Sequence, residues 1–296
     1  MFDALKTDPI AFTLPFGDAG FAIYWYGILI MIGIVLGTLW ASREIEKRKQ
    51  SADELWNGLI VVLVAGYLFA RLWYVAQDVI AGNGSRYTSF LDVINLRQGG
   101  ANILGGFIGA FVAALLYIRW RKLRLWHYAD VAGPALMLAE AVGRWGNFIN
   151  QELYGPPTKL PWGILVDPAY RITPYNILTD YPMETRFHPT FFYTSIWLLA
   201  GYIVLTQLNR HYRDTWRTGT LFGLFLLWWG GGRFVIEFFR PDQPTIGDSV
   251  ITYSMLFALI LALGGVWVLL RRYGLIGRSK QDQRVYKPKP RRTPTA

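Results

Sequence analysis

The chain contains no cysteine. That removes disulfides, thiolate metal ligands and any cysteine nucleophile of its own, and with them the class of small secreted disulfide scaffolds. Histidine is almost as scarce: His127, His188 and His211 are too few and too scattered for an imidazole metal centre, and no HExxH pair occurs. Charge is thin as well, at 17% of residues against 53% hydrophobic and 16% aromatic, which is too apolar a balance for water-soluble domains. What net charge exists is basic, +10. In a soluble chain that would suggest nucleic acid, but here the basic residues cluster in loops between apolar runs, where membrane topology accounts for them. Nucleic acid is therefore not an expected partner.

What the chain has in abundance is apolar length. A helix needs about 20 residues to cross roughly 30 Å of hydrocarbon. Residues 19–42, 98–118, 189–209 and 249–270 qualify without charge. Residues 55–77, 129–151 and 218–239 are as apolar but carry Arg71; Asp130, Glu140 and Arg144; and Arg233 and Glu237, respectively. The expected architecture is all-α and polytopic, with seven transmembrane helices. Lys and Arg concentrate after the odd-numbered spans, as in Arg43, Lys47, Arg119, Arg121, Arg210, Arg213, Arg271 and Arg272. This bias predicts the N-terminus outside and the C-terminus in the cytoplasm. The first run lies behind Asp3, Asp8 and Asp18, lacks a basic leader and is too long for a signal peptide, so it is expected to remain as a membrane helix. Residues 1–271 read as one transmembrane catalytic domain. Compact non-helical arm segments and a small head are expected outside it at 78–97 and 152–187, and a basic, Pro-containing tail at 272–296 is expected to be disordered and attracted to anionic lipid.

Ionisable groups inside spans are costly, and for that reason they are functional candidates. Arg71, Arg144 and Arg233 each fall roughly 22 to 24 Å along an outward-running helix, at the level of the outer leaflet. Tyr26 and the Gly105-Gly106 pair fall at a similar height. Guanidinium forks gathered there suit the bidentate grip of an anionic phospholipid phosphate. Glu140 with Arg144, and Arg233 with Glu237, are four residues apart, and Glu237 and Arg240 are three apart, so these groups also fit buried structural ion pairs. Arg71 alternatively snorkels to the interface. On helical spacing, Glu140, Arg144, Asn147 and Gln151 share one face, a density of polar groups unusual within a span. The glycines at 105, 106, 109 and 230–232 fit helix packing as well as a site.

These residues resemble a known family. The segment Gly143 to Gly155, GRWGNFINQELYG, is similar to the signature of the bacterial phosphatidylglycerol:prolipoprotein diacylglyceryl transferases. Asp8-Pro9-Ile10-Ala11-Phe12, Trp25-Tyr26-Gly27, Ala70-Arg71-Leu72, Gln98-Gly99-Gly100, His188-Pro189-Thr190 and Arg233-Phe234 with Glu237 to Asp242 match in order. The resemblance implies transfer of the sn-1,2-diacylglyceryl group from phosphatidylglycerol to the lipobox cysteine of a prolipoprotein signal peptide, with release of glycerol-1-phosphate. This would take place in the bacterial inner membrane, at a site facing the outer leaflet, without cofactor or metal. It makes Arg144 and Arg233 essential. It gives Tyr26, Asn147, Glu152 and Gly155 importance, and Tyr26, Glu152 and Glu237 are candidate proton acceptors. Phosphatidylglycerol contacts are expected at Arg144, Arg233, Asn147, Gly105, Gly106, Arg71 and Gly155.

Three positions depart from the family pattern. Leu104 stands where many members have histidine, Trp229 where a tyrosine is frequent, and Thr194 where a glutamate is common. Leu104 accepts no proton, whereas the Trp229 indole still donates a hydrogen bond. The alternatives are a catalytically silent relative that binds lipid or precursor, and an anionic-lipid transporter, against which the odd span count and the lack of internal repeats argue. An intramembrane protease would need a serine and histidine pair or two aspartates within the spans, and neither is present.

Overall fold

The computed structural model describes residues 8–15, 20–94, 100–240, 243–247 and 249–277, so the expected tail, Gln98-Gly99 and Pro241-Asp242 lie outside the described residues. The described chain is mostly helical. Helices α1 (Trp25–Lys47), α2 (Ala52–Asp78), α4 (Ile103–Trp120), α5 (Leu125–Ile149), α6 (Thr190–Tyr212), α7 (Thr220–Ile236) and α8 (Tyr253–Arg272) are the long ones. The arm expected to be non-helical instead carries short helical turns through Arg86 and a five-residue α3 (Phe90–Ile94), because the backbone of α2 continues past Asp78. Two small antiparallel pairs, β1 (Ile10–Leu14) with β2 (Phe21–Tyr24) and β3 (Ile164–Leu165) with β4 (Arg186–Phe187), complete the fold.

Among the described residues, six helices are long and apolar enough to cross a membrane: α1, α2 with its continuation to Arg86, α4, α6, α7 with its continuation to Phe239, and α8. The segment of the remaining expected span forms α5, a helix of 25 residues that is not among those six. Its hydropathy is diluted by Asp130, Glu140, Arg144 and Asn147, whose side chains are engaged with protein. Burial is inverted relative to a water-soluble protein. Phe107, Phe111 and Leu116 of α4 are more than 60% exposed, while Arg71, Asp130, Glu237 and Arg272 are no more than 3% exposed. Such a surface matches lipid as its solvent.

The chain packs as two compact units, Ser42–Tyr128 and Met1–Ala41 with Ala129–Ala296. In the first, α2 and α4 run antiparallel through small-residue notches. Gly66 faces Ala110 and the Gly106 carbonyl, Gly106 faces Ala70, and Gly105 and Gly109 lie directly under Trp73 and Phe69. With no apolar drive between helices in lipid, close backbone approach is what holds them. Asn102 starts α4 by accepting from the Leu104 amide at 2.9 Å, and its own amide bonds to the Ala70 carbonyl at 2.9 Å. At the opposite end Glu54 pairs with Arg121 and accepts from the Tyr117 hydroxyl at 2.7 Å.

In the second unit, Gly33 and Gly37 of α1 lie against the backbone at Ala139 and Ala135 of α5, again antiparallel. Gly230 of α7 meets Ala258 and Ala262 of α8 in the same way, and Gly223 meets Gly265. Asp130 is buried for a structural reason: its carboxylate accepts from the Gly219 amide at 2.8 Å and the Phe222 amide at 2.9 Å. It thereby caps the first turn of α7 from α5 and complements its dipole. The head between α5 and α6 has its own core of Tyr154, Ile164, Val166, Phe187 and Phe191. Buried Arg171 organises this segment by donating to the carbonyls of Val166, Tyr181, Pro182 and Met183.

Candidate active site

Helices α5 and α7 carry the site, both in the second unit. Arg144 donates through Nη2 to Glu140 Oε1, closing the i,i+4 ion pair. The other Glu140 oxygen accepts from the Trp229 indole of α7 at 2.7 Å. One carboxylate is thus held from two helices. The buried Nε of Arg144 has no hydrogen-bond partner among the described residues. One turn beyond Trp229, Arg233 places Nη2 3.1 Å from Glu237 Oε2 and donates through Nε and Nη2 to Ser254 Oγ at 3.2 and 3.0 Å. Glu237, 1% exposed, also accepts from Thr252 at 3.4 Å. The Thr252 hydroxyl in turn caps α8 at Met255.

Trp229 and Arg233 share a face of α7, so the two ion pairs adjoin. Arg144, Glu140 and Arg240 all lie within electrostatic reach of the Arg233 guanidinium. Among the described residues the cluster brings Arg144, Arg233 and Arg240 near Glu140 and Glu237. Each of Arg144 and Arg233 commits only part of its five-donor fork to protein, which leaves planar N–H groups in a low-dielectric setting suited to a phosphate.

Beyond Ile149 the chain turns back through positive φ at Gln151 and Leu153, 55° and 57°. This brings Glu152 under Asn147, whose amide donates to Glu152 Oε1 at 2.8 Å, with Asn150 adding a second donor at 3.3 Å. Asn147 is buried and Glu152 is exposed. Buried Gln151 accepts from the Asp167 amide at 2.8 Å and ties the head to the end of α5. Tyr26 packs its ring on Gly146, the residue before Asn147, and Gly146 has no room for a side chain there. Arg144, Arg233, Asn147, Glu152, Glu237 and Tyr26 all belong to this one unit.

The remaining expected lipid contacts are placed differently. Gly155 is filled by protein: a methyl there would meet His188 Cβ and the Phe239 carbonyl, both at 2.8 Å, so it works as a tight joint in the head. Gly105 and Gly106, in the other unit, are spent on packing against α2. Arg71 neither snorkels nor stands open. Nε, Nη1 and Nη2 donate to the carbonyls of Val93, Gly100 and Asp92 at 2.9 to 3.0 Å, which anchors α3 to α2. Leu104, in the first turn of α4, is 52% exposed. His188 shares a 3.0 Å hydrogen bond between Nδ1 and the Tyr193 hydroxyl, which also accepts from the Trp162 indole at 3.0 Å. Burial pushes the His188 imidazole below its ordinary pKa. Sequence reasoning passed over Ser254 and Thr252 as partners, because hydroxyls at span edges look like ordinary interfacial residues.

No group of three or more His, Cys, Asp or Glu side chains that could hold a metal ion occurs among the described residues. The chain matches the family model described as prolipoprotein diacylglyceryl transferase over residues 9–271. Among similar curated proteins is a phosphatidylglycerol--prolipoprotein diacylglyceryl transferase of Chloroflexus aggregans, 42% identical over 80% of this chain and 78% of the relative. Proteins of the same name from Halalkalibacterium halodurans and Bacillus cereus are 36% and 35% identical, covering 86% and 85% of this chain and 85% and 89% of their own lengths.

Proposed function

The chain belongs to the prolipoprotein diacylglyceryl transferase family, and from that premise we propose that it moves the sn-1,2-diacylglyceryl group of phosphatidylglycerol onto the lipobox cysteine thiol of a prolipoprotein. Glycerol-1-phosphate is the second product. The observation that carries the reading is the adjoining Glu140–Arg144 and Arg233–Glu237 pairs, with donors left over on each guanidinium.

The reaction is a displacement at the glycerol carbon that bears the phosphate. The carbon–sulfur bond forms, the carbon–oxygen bond to phosphate breaks, and the electron pair leaves with the phosphate oxygen. The thiol proton passes to a base. Charge therefore develops on the leaving phosphate, and Arg144 and Arg233 stabilise it there, with their orientation fixed in advance by Glu140, Trp229, Ser254 and Glu237. Preorganised donors in a site shielded from water need no rearrangement at the moment of reaction. Absence of cysteine from the enzyme is consistent with a nucleophile brought by the substrate.

Among the candidate bases, Glu237 is paired with Arg233 and accepts from Thr252, and Glu152 accepts from the side-chain amides of Asn147 and Asn150. Tyr26, with its ring on Gly146 and its hydroxyl uncommitted among the described residues, is the third. The lipid-contact set contracts to Arg144, Arg233 and Asn147. Arg71 holds the arm, and Gly105, Gly106 and Gly155 shape the protein.

The topology that goes with this activity has α5 as a seventh span, sheltered by its neighbours. The N-terminus and head lie outside, the C-terminus is cytoplasmic, and the site faces the outer leaflet of the inner membrane. The test is transfer to a lipobox peptide in phosphatidylglycerol micelles: Arg144→Ala and Arg233→Ala each abolish the diacylglyceryl mass shift, and retained transfer by either one overturns the mechanism. Leu104, which cannot take a proton, is the observation that favours a silent relative instead. Failure of the unaltered, correctly inserted chain to restore lipoprotein modification in cells depleted of their own transferase selects that second reading.

A further inference from the structure

Helices α6 and α7 meet through two tryptophans that the chemistry above does not use. The Trp197 indole donates to the Trp228 carbonyl at 3.1 Å, and the Trp228 indole donates to the Trp197 carbonyl at 3.0 Å. Their rings stack with centroids 4.8 Å apart. Each indole lies over the glycine four residues past the other tryptophan: a methyl on Gly232 would strike Trp197, and one on Gly201 would strike Trp228.

The exchange follows from helix geometry. Side chains lean toward the N-terminus of their own helix, so on antiparallel helices the two indoles lean past each other in opposite directions. Each carbonyl already accepts its helical bond from the residue four ahead. Because that residue is glycine, no side chain covers the second lone pair, and the opposing indole can reach it. Trp-x-x-x-Gly on α6, Trp197 to Gly201, and on α7, Trp228 to Gly232, thus form one reciprocal clasp. Arg233 directly follows Gly232, and Trp229 directly follows Trp228.

We infer that Trp197 and Trp228 are positioning residues for transfer: the clasp fixes the register and rotation of α7 on α6, and so the placement of Arg233 and Trp229 in the site. Helices in lipid have no apolar drive toward a single register, so specific interhelical bonds and close glycine contacts must define it. A small rotation of α7 would move the guanidinium away from the phosphate and the indole away from Glu140. The inference rests on the functional reading above.

The experiment compares kcat and KM of the purified full-length chain, with phosphatidylglycerol and a lipobox peptide, for Trp197→Phe, Trp228→Phe, the double variant and Gly232→Ala. Each single change is expected to lower kcat by about 10- to 100-fold while KM for the peptide stays unchanged, as for a misplaced catalytic group. The double variant is expected to be little worse than either single, because both changes break one device. If Gly232→Ala does not insert, Trp197→Phe, which adds no volume, carries the same test. Unchanged kcat in the tryptophan variants, or multiplicative losses accompanied by a raised peptide KM, overturns the clasp. Arg233→Ala in parallel separates the two claims: full transfer by that variant sinks the functional reading, whereas its inactivity beside unaffected tryptophan variants sinks the clasp alone.

Discussion

Glu140 is the residue on which the site turns. Its two oxygens serve different helices, one facing Arg144 and the other the Trp229 indole. Trp229→Phe keeps an aromatic ring but deletes the N–H, leaving a partly buried carboxylate oxygen without its donor and free to draw Arg144 inward. Losing a hydrogen bond to a charged group costs about 1.5–3 kcal/mol. The expected result is a fall in kcat/KM of about 10-fold or more, measured with a lipobox peptide, with the fold intact. The sequence exposes Glu140, Arg144, Arg233 and Glu237 because a charge inside an apolar run is conspicuous. It does not expose Ser254 as their companion, because nothing in a linear pattern pairs a serine opening α8 with an arginine closing α7.

At the scale of elements, the helices were legible wherever an apolar run was long enough, and least legible where polar groups face inward. The sequence run containing Asp130, Glu140 and Arg144 becomes a 25-residue helix whose composition falls short of an ordinary span. The reason is that its polar side chains are satisfied by other helices. Asp130 illustrates this. It reads as an edge charge on α5, yet it caps α7 through two amides. Asp130→Ala removes both acceptors from that helix N-terminus and should destabilise the folded protein by about 1–2 kcal/mol. The measurement is thermal unfolding in detergent, where the midpoint should fall, and Asp130→Asn, which keeps one acceptor, should fall less. The glycines were ambiguous in the sequence between packing and binding. The structure gives Gly105, Gly106 and Gly155 to packing because a side chain added at any of them would press on protein atoms.

At the scale of the whole molecule, the loop charges carry a topology that can be read directly, since the chain offers no native thiol to interfere. Single replacements Lys159→Cys in the head and Lys122→Cys after α4 should label oppositely. The first should react with a membrane-impermeant maleimide in intact spheroplasts, and the second only after permeabilisation. The reverse pattern would invert the proposed orientation and put the site on the wrong leaflet for a translocated precursor. Arg71 shows how far a whole-chain argument can mislead at one position. It is buried, at 3% exposed, but its donors are committed to the carbonyls that hold the arm.

The sequence by itself determined the solvent of this protein, the helices that meet it and the charges that must be accounted for, because hydrophobic length and uncompensated charge are local properties of a chain in lipid. Only the tertiary structure decided how those charges are compensated: Glu140 shared between α5 and α7, Arg233 seated on Ser254, Arg71 turned to backbone carbonyls, and two tryptophans exchanged across α6 and α7. A hydrogen bond needs both partners within about 3 Å and aligned, and residues 89 positions apart, as Glu140 and Trp229 are, acquire that geometry only when the helices bearing them have packed.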